Sequence, residues 1–323
     1  MNFRRQLLCA LLGIHGLLAP LAASAQSTYA TKPVRLVNNW PPGGPSDILA
    51  RSVQPYLQEV LKQPVIVDNK AGAAGNLGAT EVARAPADGH TVLFGIDTTF
   101  TVNPHIYKTM PFKGSDLKPV IIMASSGLLV GVHPSAGIKS MKDLVAAGKG
   151  KGLMFGSGGN GSPGHLWVEM FKDAADVKVT HVPYRGNTPA VTAVLAGEVN
   201  GGALATPGML PHVQGGKITP LAVTGQQRSK LAPDLPTVGE LGLTELVQEV
   251  LYLVMVPAAT PEPVVQALQK GIADALKRPD VQARLNSLDL HFEGQTGSAA
   301  SERLADTSAR YAKVVAATGM QVD

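Results

Sequence analysis

Two glycine-rich turns, each set between an apolar run and a helical pattern, limit most strongly what this chain can fold into. Residues 40–47, WPPGGPSD, follow the apolar run 34–37 and precede apolar residues spaced for a helix over 48–61. Residues 156–164, GSGGNGSPG, stand in the same way between the run 152–155 and a second helical pattern. Each segment therefore predicts a strand, a tight turn and a helix, in that order.

Both turns are suited to binding an anion. The first turn of a helix has backbone N–H groups without an intrahelical partner and is the positive end of the helix dipole. Glycine leaves room for another molecule to approach these groups closely. A small carboxylate is the expected ligand at such a place. Because the two turns are far apart in the chain, they predict two lobes that face one ligand.

The N-terminal segment has the pattern of a secretory signal peptide over residues 1–25. Arg4 and Arg5 precede an apolar run over 7–18, and Ala23-Ser24-Ala25 fits a small-residue cleavage site. A membrane anchor and export by a twin-arginine route are the alternatives. We expect an exported protein that is soluble after cleavage.

The number of cysteines and the net charge limit the possible location and partners of the protein. Cys9 is the only cysteine and lies in the predicted signal peptide, so the mature chain would have no disulfide and no thiolate ligand. Export without disulfides indicates the bacterial periplasm. Removal of Arg4 and Arg5 lowers the formal net charge from +4 to +2, and no basic run follows. We therefore expect no nucleic-acid partner.

Known cofactor and metal motifs are absent from the sequence. The eight histidines do not have the spacing of a zinc site. Gly156, Gly158 and Gly161 match G-x-G-x-x-G, but the acidic residue expected about 20 positions later is missing. We expect neither a metal nor a cofactor.

Short apolar runs alternate with helical patterns along the chain, which predicts an α/β fold whose mostly parallel sheets are flanked by helices. Apolar stretches over 120–132 and 250–256 are the expected crossings between two lobes. One lobe would hold residues 26–124 and 251–323, and the other residues 125–250.

We make a specific prediction for each of two helices. Pro55 lies inside the first helical pattern, where a proline removes one backbone hydrogen bond, so we expect it to kink or split that helix. The last helical pattern, over 301–318, is expected to pack on the first lobe.

The chain also resembles a known family through motifs that run in order along almost its whole length. The motifs are Val34-Arg35-Leu36-Val37, Trp40-Pro41-Pro42-Gly43-Gly44 with Asp47 and Ala50-Arg51, Pro64-Val65-Ile66-Val67-Asp68-Asn69, Asp88-Gly89-His90-Thr91, Gly161-Ser162-Pro163, His181-Val182-Pro183-Tyr184-Arg185-Gly186 and Pro233-Asp234-Leu235-Pro236-Thr237. In these segments the chain is similar to the substrate-binding proteins of tripartite tricarboxylate transporters, the Bug (TctC-like) family.

The resemblance implies an extracytoplasmic receptor with the two-lobed periplasmic binding protein fold, a Venus-flytrap of type II-like architecture. Such receptors close on a small organic acid, which is a di- or tricarboxylate, an aromatic carboxylate or an amino-acid-like compound, and deliver it to membrane transporter subunits. The resemblance also implies that the ligand carboxylate is held by the turns 40–47 and 157–162. We expect a monomer.

The candidate ligand-binding residues lie in these turns and at neighbouring strand ends. They are Trp40, Gly43, Gly44, Ser46, Asp47, Asp97, Thr98, Thr99, Ser157, Gly158, Gly161, Ser162, His165, Tyr184 and Thr206. A structural role stays open for three of them: packing for Trp40, helix capping for Asp47 and loop orientation for His165. If Asp97 points into the cleft, it disfavours a second carboxylate and favours an amine, amide or hydroxyl at that end of the ligand.

Two other functions stay open. A secreted hydrolase would use Ser162 and His165, which are three residues apart on one helical turn, although the G-x-S-x-G pattern is broken at Asn160 and no orienting acid is evident. A sensor-type receptor would bind the same ligand and report to a signalling partner without transport.

Overall fold

The protein, described by a computed structural model over residues 29–322, consists of two sheets flanked by helices. The predicted signal peptide lies outside the described residues. The strands are β1 (Val34–Asn38), β2 (Val65–Asn69), β3 (Thr91–Ile96), β4 (Leu117–Ser126), β5 (Leu128–Val132), β6 (Leu153–Ser157), β7 (Val179–Pro183), β8 (Gly201–Ala205), β9 (Thr219–Val223), β10 (Val250–Pro257) and β11 (His291–Gln295). The helices are α1 (Pro45–Leu61), α2 (Asn76–Ala83), α3 (Thr98–Thr101), α4 (Asn103–Ile106), α5 (Met141–Lys149), α6 (Pro163–Ala175), α7 (Asn187–Ala196), α8 (Thr206–Gln214), α9 (Glu262–Leu276), α10 (Pro279–Ser287) and α11 (Gly297–Thr318).

The first sheet has the strand order β11-β4-β10-β3-β1-β2. Strands β1, β2 and β3 pair in parallel, as βαβ units require, and Val92, Leu93 and Phe94 of β3 are fully buried. Strand β10 comes late in the sequence and lies between β3 and β4, antiparallel to both. Strand β11 pairs antiparallel with β4.

The second sheet has the order β7-β6-β8-β5-β9. Its β6 pairs in parallel with β7 and β8, whereas β5 pairs antiparallel with β8 and β9. The predicted two-lobed α/β fold is therefore confirmed, but both sheets are mixed. The expectation of mostly parallel sheets is wrong because the strands next to each crossing run back against the βαβ strands.

The two sheets are joined where the chain crosses between them, at Gly127 and again between Val223 and Val250. A Cβ atom added to Gly127 would lie 2.5 Å from the backbone nitrogen of Gly225, so the two crossing segments touch backbone to backbone. The Thr224 hydroxyl accepts a hydrogen bond from Leu128 N–H and donates one to Gln248 carbonyl, each at 2.8 Å. One buried side chain thus links three strand ends at the hinge. The lobe limits given above remain a proposal.

Helix α1 packs on the first sheet through Leu49, Val53 and Leu57, which are fully buried and spaced four residues apart. It begins with Pro45 at its first position, where the missing N–H costs nothing. Pro55 does not split the helix, so that alternative is wrong. The residue is exposed, and the helix runs from Pro45 to Leu61 with Pro55 inside it.

Helix α11 packs on the first lobe as expected and also contacts the second lobe. It contacts α3 and β4 of the first lobe and α6 of the second. The Tyr311 hydroxyl donates a hydrogen bond to Glu249 carbonyl at 3.4 Å, and Arg310 donates one to Val247 carbonyl. These bonds attach the last helix to the segment that leads back into β10.

Candidate functional site

The first glycine-rich turn connects β1 to α1. Gly43 adopts a φ of +78°, and its N–H donates to the Asp47 carboxylate at 2.9 Å. Arg51 and Asn69 also donate to this carboxylate. Burial opposes ionisation of Asp47, but these hydrogen bonds outweigh it and hold the pKa of the carboxyl below its usual value. Asp47 therefore closes the turn.

The second glycine-rich turn connects β6 to α6 and is held by hydrogen bonds within its own loop. The Ser157 hydroxyl accepts from Gly159 N–H at 3.1 Å. Gly161, at a φ of +74°, donates its N–H to His165 Nδ1 at 3.1 Å. The Ser162 hydroxyl caps α6 by accepting from His165 N–H at 3.3 Å.

Two histidines support this second turn from behind. The rings of His165 and His181 are stacked, and His181 Nε2 lies 2.6 Å from the Ser157 hydroxyl. Burial, with repulsion from His181 and Lys172, lowers the pKa of His165 to about 3. Burial, with repulsion from Lys172, lowers the pKa of His181 to about 4. Both rings are therefore neutral at physiological pH.

A third turn lies between β7 and α7, where Tyr184 was the predicted site residue. Gly186 has a φ of +113° and precedes Asn187, whose side-chain oxygen accepts from Ala205 N–H at 2.9 Å. That bond joins the start of α7 to the end of β8. Arg185 is exposed and has no ion-pair or hydrogen-bond partner among residues 29–322. The sequence pattern of this turn is the same as that of the first two turns, because a strand, a glycine and a helical pattern follow one another here as well.

The starts of three helices surround one cavity of about 190 Å³ between the lobes. Gly44, Pro45 and Ser46 come from α1, Ser162, Pro163 and Gly164 from α6, and Gly186, Asn187, Thr188 and Pro189 from α7. The amide groups of Ser46, Gly164 and Thr188 have no hydrogen-bond partner within the described chain, as expected for the first turn of a helix. The positive ends of three helix dipoles thus meet at one space.

The rest of the cavity is apolar. Its floor consists of strand ends and of the hinge segments, through Ile96, Leu128, Ala203, Leu204, Val250 and Tyr252. Trp40, Pro41 and Pro42 form part of the wall. Among the described residues that line the cavity, Arg185 alone is charged at neutral pH. The space can therefore hold one negative group near the helix starts and an apolar body below it.

The lobes touch each other around this cavity. A Cβ atom added to Gly186 of the second lobe would lie 3.5 Å from the Pro41 ring of the first. A Cβ atom added to Gly161 would lie 2.8 Å from Ala74 Cβ and 3.0 Å from Asn103 Oδ1, again across the cleft. The cleft is closed at both points.

Five of the fifteen predicted residues line the cavity. They are Trp40, Gly44, Ser46, Gly158 and Ser162. The other ten lie outside the lining: Gly43, Asp47, Asp97, Thr98, Thr99, Ser157, Gly161, His165, Tyr184 and Thr206. Gly43, Asp47, Ser157, Gly161 and His165 instead shape the two turns. Tyr184 packs beside Gly156 and lies 3.5 Å from Glu198.

Asp97 does not point into the cavity, in contrast to the orientation considered above. Its carboxylate is fully buried and accepts hydrogen bonds from Leu251 N–H at 2.9 Å and from the Thr101 hydroxyl at 3.1 Å. Burial raises its pKa to about 7, because these bonds and the charge of Arg303 offset only part of the desolvation. Asp97 therefore fastens β10 to the end of β3.

Thr98 and Thr99 are buried with Asp97. Thr99 donates to Ala74 carbonyl at 3.0 Å and accepts from Asn39 Nδ2 at 3.1 Å. It thereby supports the turn before α2. Thr206 is also buried, and its hydroxyl has no partner within the described residues.

In the part of the chain that the structure describes, no group of three or more histidine, cysteine or acidic side chains is arranged to hold a metal ion. Within residues 29–322, none of the helices has both the length and the apolar character that crossing a membrane requires.

Comparison with known proteins agrees with this architecture. The sequence is 31% identical to protein BugT of Bordetella pertussis over the full length of both chains. Among solved structures, an R. palustris protein, Rpa4515, described with adipate, has a TM-score of 0.83 at 31% identity and covers 90% of this chain and 98% of its own. MatC from Rhodopseudomonas palustris, described with bound malate, has a TM-score of 0.80 at 25% identity, covering 88% and 99%.

The family comparison covers most of the described chain. The sequence model described as "Tripartite tricarboxylate transporter family receptor" matches residues 49–320, which include the second sheet, the first sheet apart from β1, and the starts of α6 and α7 at the cavity. The chain belongs to the tripartite tricarboxylate transporter family of receptors.

Proposed function

We propose that the protein is a periplasmic solute-binding receptor that captures a small organic carboxylate between its two lobes and delivers it to a tripartite tricarboxylate-type membrane transporter. The observation that carries this proposal is the meeting of three helix starts, from both lobes, at one cavity. Among the described residues that line it, a single one, Arg185, is charged. Free amide groups and a guanidinium favour an anion. The solved relatives with adipate and malate support a carboxylate as that anion.

The proposed mechanism is closure about the hinge at Gly127 and Thr224. A ligand held by α1 of one lobe and by α6 and α7 of the other contacts all three helices only when the lobes are together. It favours the closed state by the difference between its affinities for the closed and the open forms. Release to the transporter then requires that the membrane subunits favour the open form.

Export to the periplasm is part of the proposal. It rests on the signal-peptide pattern of residues 1–25 and on the solved relative described as a periplasmic transporter, which is 32% identical with a TM-score of 0.84. Mass spectrometry of the protein isolated from its host tests this step, because cleavage after Ala25 gives a new N-terminus at Gln26.

The geometry does not favour the hydrolase alternative. The Ser162 hydroxyl accepts a hydrogen bond from the backbone of His165, and Nδ1 of the His165 ring accepts from Gly161 N–H. The imidazole therefore does not activate the hydroxyl, as a general base would have to do.

The experiment that tests carboxylate binding is native mass spectrometry of protein from the host periplasm, followed by a thermal-shift panel of organic acids. A ligand present at 100 times its dissociation constant stabilises the protein by about 2.7 kcal/mol. Gly44→Val should remove this shift, since the new side chain blocks access to the amide of Ser46. Gly44 has an ordinary φ of −78°, so the variant should fold.

Gly114→Val is the matched control, because a Cβ atom there meets nothing within 4 Å and the residue is remote from the cavity. A thermal shift that is equal in both variants would place the ligand elsewhere and contradict the proposal.

A further inference from the structure

The floor of the cavity differs in chemistry from its walls. Ile96, Leu128, Leu204 and Val250 line the floor, together with Tyr252. Tyr252 is buried, and burial raises its pKa to about 12, so that its hydroxyl stays neutral. A group that reaches the floor therefore meets aliphatic side chains and a neutral phenol.

A second carboxylate of the ligand, placed at the floor, would lose its hydration without gaining a cation or several hydrogen-bond donors in return. Transfer of an ionised carboxylate from water into apolar surroundings is unfavourable unless a cation or several donors replace the lost water. The charged partner that the described lining offers, Arg185, belongs to the turn before α7. That turn is part of the helix-start wall, where the first carboxylate is expected.

An ammonium group on the ligand would lack a partner as well. Asp97 was the candidate acid for such a group, but its carboxylate is fully buried against β10 and α3. Asp47, the other acid near the cavity, is already engaged by Gly43, Arg51 and Asn69. Neither residue is part of the cavity lining.

From this division we infer that the preferred solute is a monocarboxylate with a compact apolar body, in preference to a dicarboxylate or an amino acid. The inference rests on the proposed function and specifies its substrate class. The carboxylate meets the helix starts and Arg185, and the apolar body covers Leu128, Val250 and Tyr252. Leu128 and Val250 adjoin the two hinge crossings, so an apolar body of the right length also completes the packing of the closed form.

A set of six-carbon ligands with matched chains tests the inference by isothermal titration of the full protein after removal of any bound solute. Hexanoate has one carboxylate, adipate has two, 6-aminohexanoate adds an ammonium group, and hexanamide has no charge. Hexanoate should bind at least tenfold more tightly than adipate or 6-aminohexanoate, and hexanamide should bind weakest. Butanoate should bind more weakly than hexanoate, because each buried methylene adds about fourfold to affinity.

The outcomes separate the inference from the proposed function. Adipate binding as tightly as hexanoate, or more tightly, would overturn the inference and leave the receptor function intact. Equal binding of hexanamide and hexanoate would overturn both, because the carboxylate would then have no role. Absence of binding by all of these carboxylates, and by benzoate and malate, would also overturn both.

Two pairs of variants locate the two ends of the ligand. Arg185→Gln should weaken hexanoate about tenfold, whereas Lys151→Gln, an equal charge change at an exposed site of the same lobe, should not. Val250→Thr puts a hydroxyl on the floor and should weaken hexanoate severalfold more than it weakens butanoate. Val132→Thr, a buried change outside the cavity, controls for loss of stability. Equal hexanoate affinities in Val250→Thr and Val132→Thr would contradict the assigned floor.

Discussion

The imidazole rings of His165 and His181 stack with their centroids 3.8 Å apart and their planes 11° apart. His165 Nδ1 accepts the N–H of Gly161, and His181 Nε2 shares a hydrogen bond with Ser157. The pair therefore holds both ends of the turn that presents Gly158 and Ser162 to the cavity. Its contribution to binding is indirect, because neither ring lines the cavity.

The first prediction concerns the acceptor role of His165. His165→Asn offers a side-chain oxygen in the place of Nδ1, whereas His165→Leu leaves the amide of Gly161 without a partner, which costs about 1–3 kcal/mol. The leucine variant should therefore bind a carboxylate roughly tenfold more weakly than the wild type, and the asparagine variant should recover most of this loss. Isothermal titration measures both. A leucine variant with wild-type affinity would refute the positioning role.

The second prediction concerns acid. The pKa values of His165 and His181 are lowered by burial to about 3 and about 4, from 6.5. A base whose folded-state pKa is lowered contributes stability above its unfolded pKa, and this stability is lost as the pH falls below 6.5. We expect the free energy of unfolding to fall on the order of 4 kcal/mol between pH 6.5 and 4.5, with similar contributions from the two histidines, measured by urea denaturation.

The double variant His165→Asn/His181→Asn is the comparison for this acid effect, since it removes both titrating groups. Its stability should change less than that of the wild type over the same pH range. Parallel pH profiles for the two proteins would assign the acid sensitivity to other groups.

The third prediction concerns Asp97, for which we expect the opposite dependence of stability on pH. Its pKa is raised from 3.8 to about 7, with burial as the main cause. The folded state therefore favours the protonated carboxyl, which contributes stability at low pH that is lost as the pH rises through about 7. Asp97→Asn keeps an acceptor for Leu251 N–H and cannot ionise. The variant should gain stability relative to the wild type between pH 5 and pH 8, by several kcal/mol at most. Urea denaturation at pH 5 and at pH 8 measures the difference in stability between the variant and the wild type. A difference that is the same at both pH values would contradict this prediction.

The parts of the fold that the sequence predicted are those set by local patterns. The strand, turn and helix around residues 40–47 and 156–164 depend on neighbouring residues, and both turns lie at the cavity. Insertion of β10 between β3 and β4 depends on pairing between segments far apart in the chain, so the sequence indicated parallel strands where the sheets are mixed. The contact of α11 with α6 and its hydrogen bonds to Val247 and Glu249 likewise join segments that are far apart in the chain.

The same distinction separates the predicted site residues that line the cavity from those that do not. Gly44, Ser46 and Ser162 line the cavity because their places in the turns fix where they point. The direction of Asp97 depends on Leu251, which is 154 residues away in the chain. Arg185 lines the cavity but was not among the predicted residues, since its place there depends on the opposite lobe that closes the cavity.

The last prediction concerns closure. Alanine at Gly161 would bring its Cβ to 2.8 Å from Ala74 Cβ of the other lobe, and Gly161 has a left-handed φ of +74°. Gly137 has a similar φ of +69°, but a Cβ atom there meets nothing within 4 Å. Gly161→Ala and Gly137→Ala should therefore lose similar stability, about 1 kcal/mol from the backbone. Only Gly161→Ala should also lose affinity for a carboxylate, by about tenfold, because its methyl group holds the lobes apart. Isothermal titration gives the affinities, and small-angle X-ray scattering with saturating ligand should show a larger radius of gyration for Gly161→Ala alone. If both variants bind and close as the wild type does, the contact between Gly161 and Ala74 is not part of the closed state that holds the ligand.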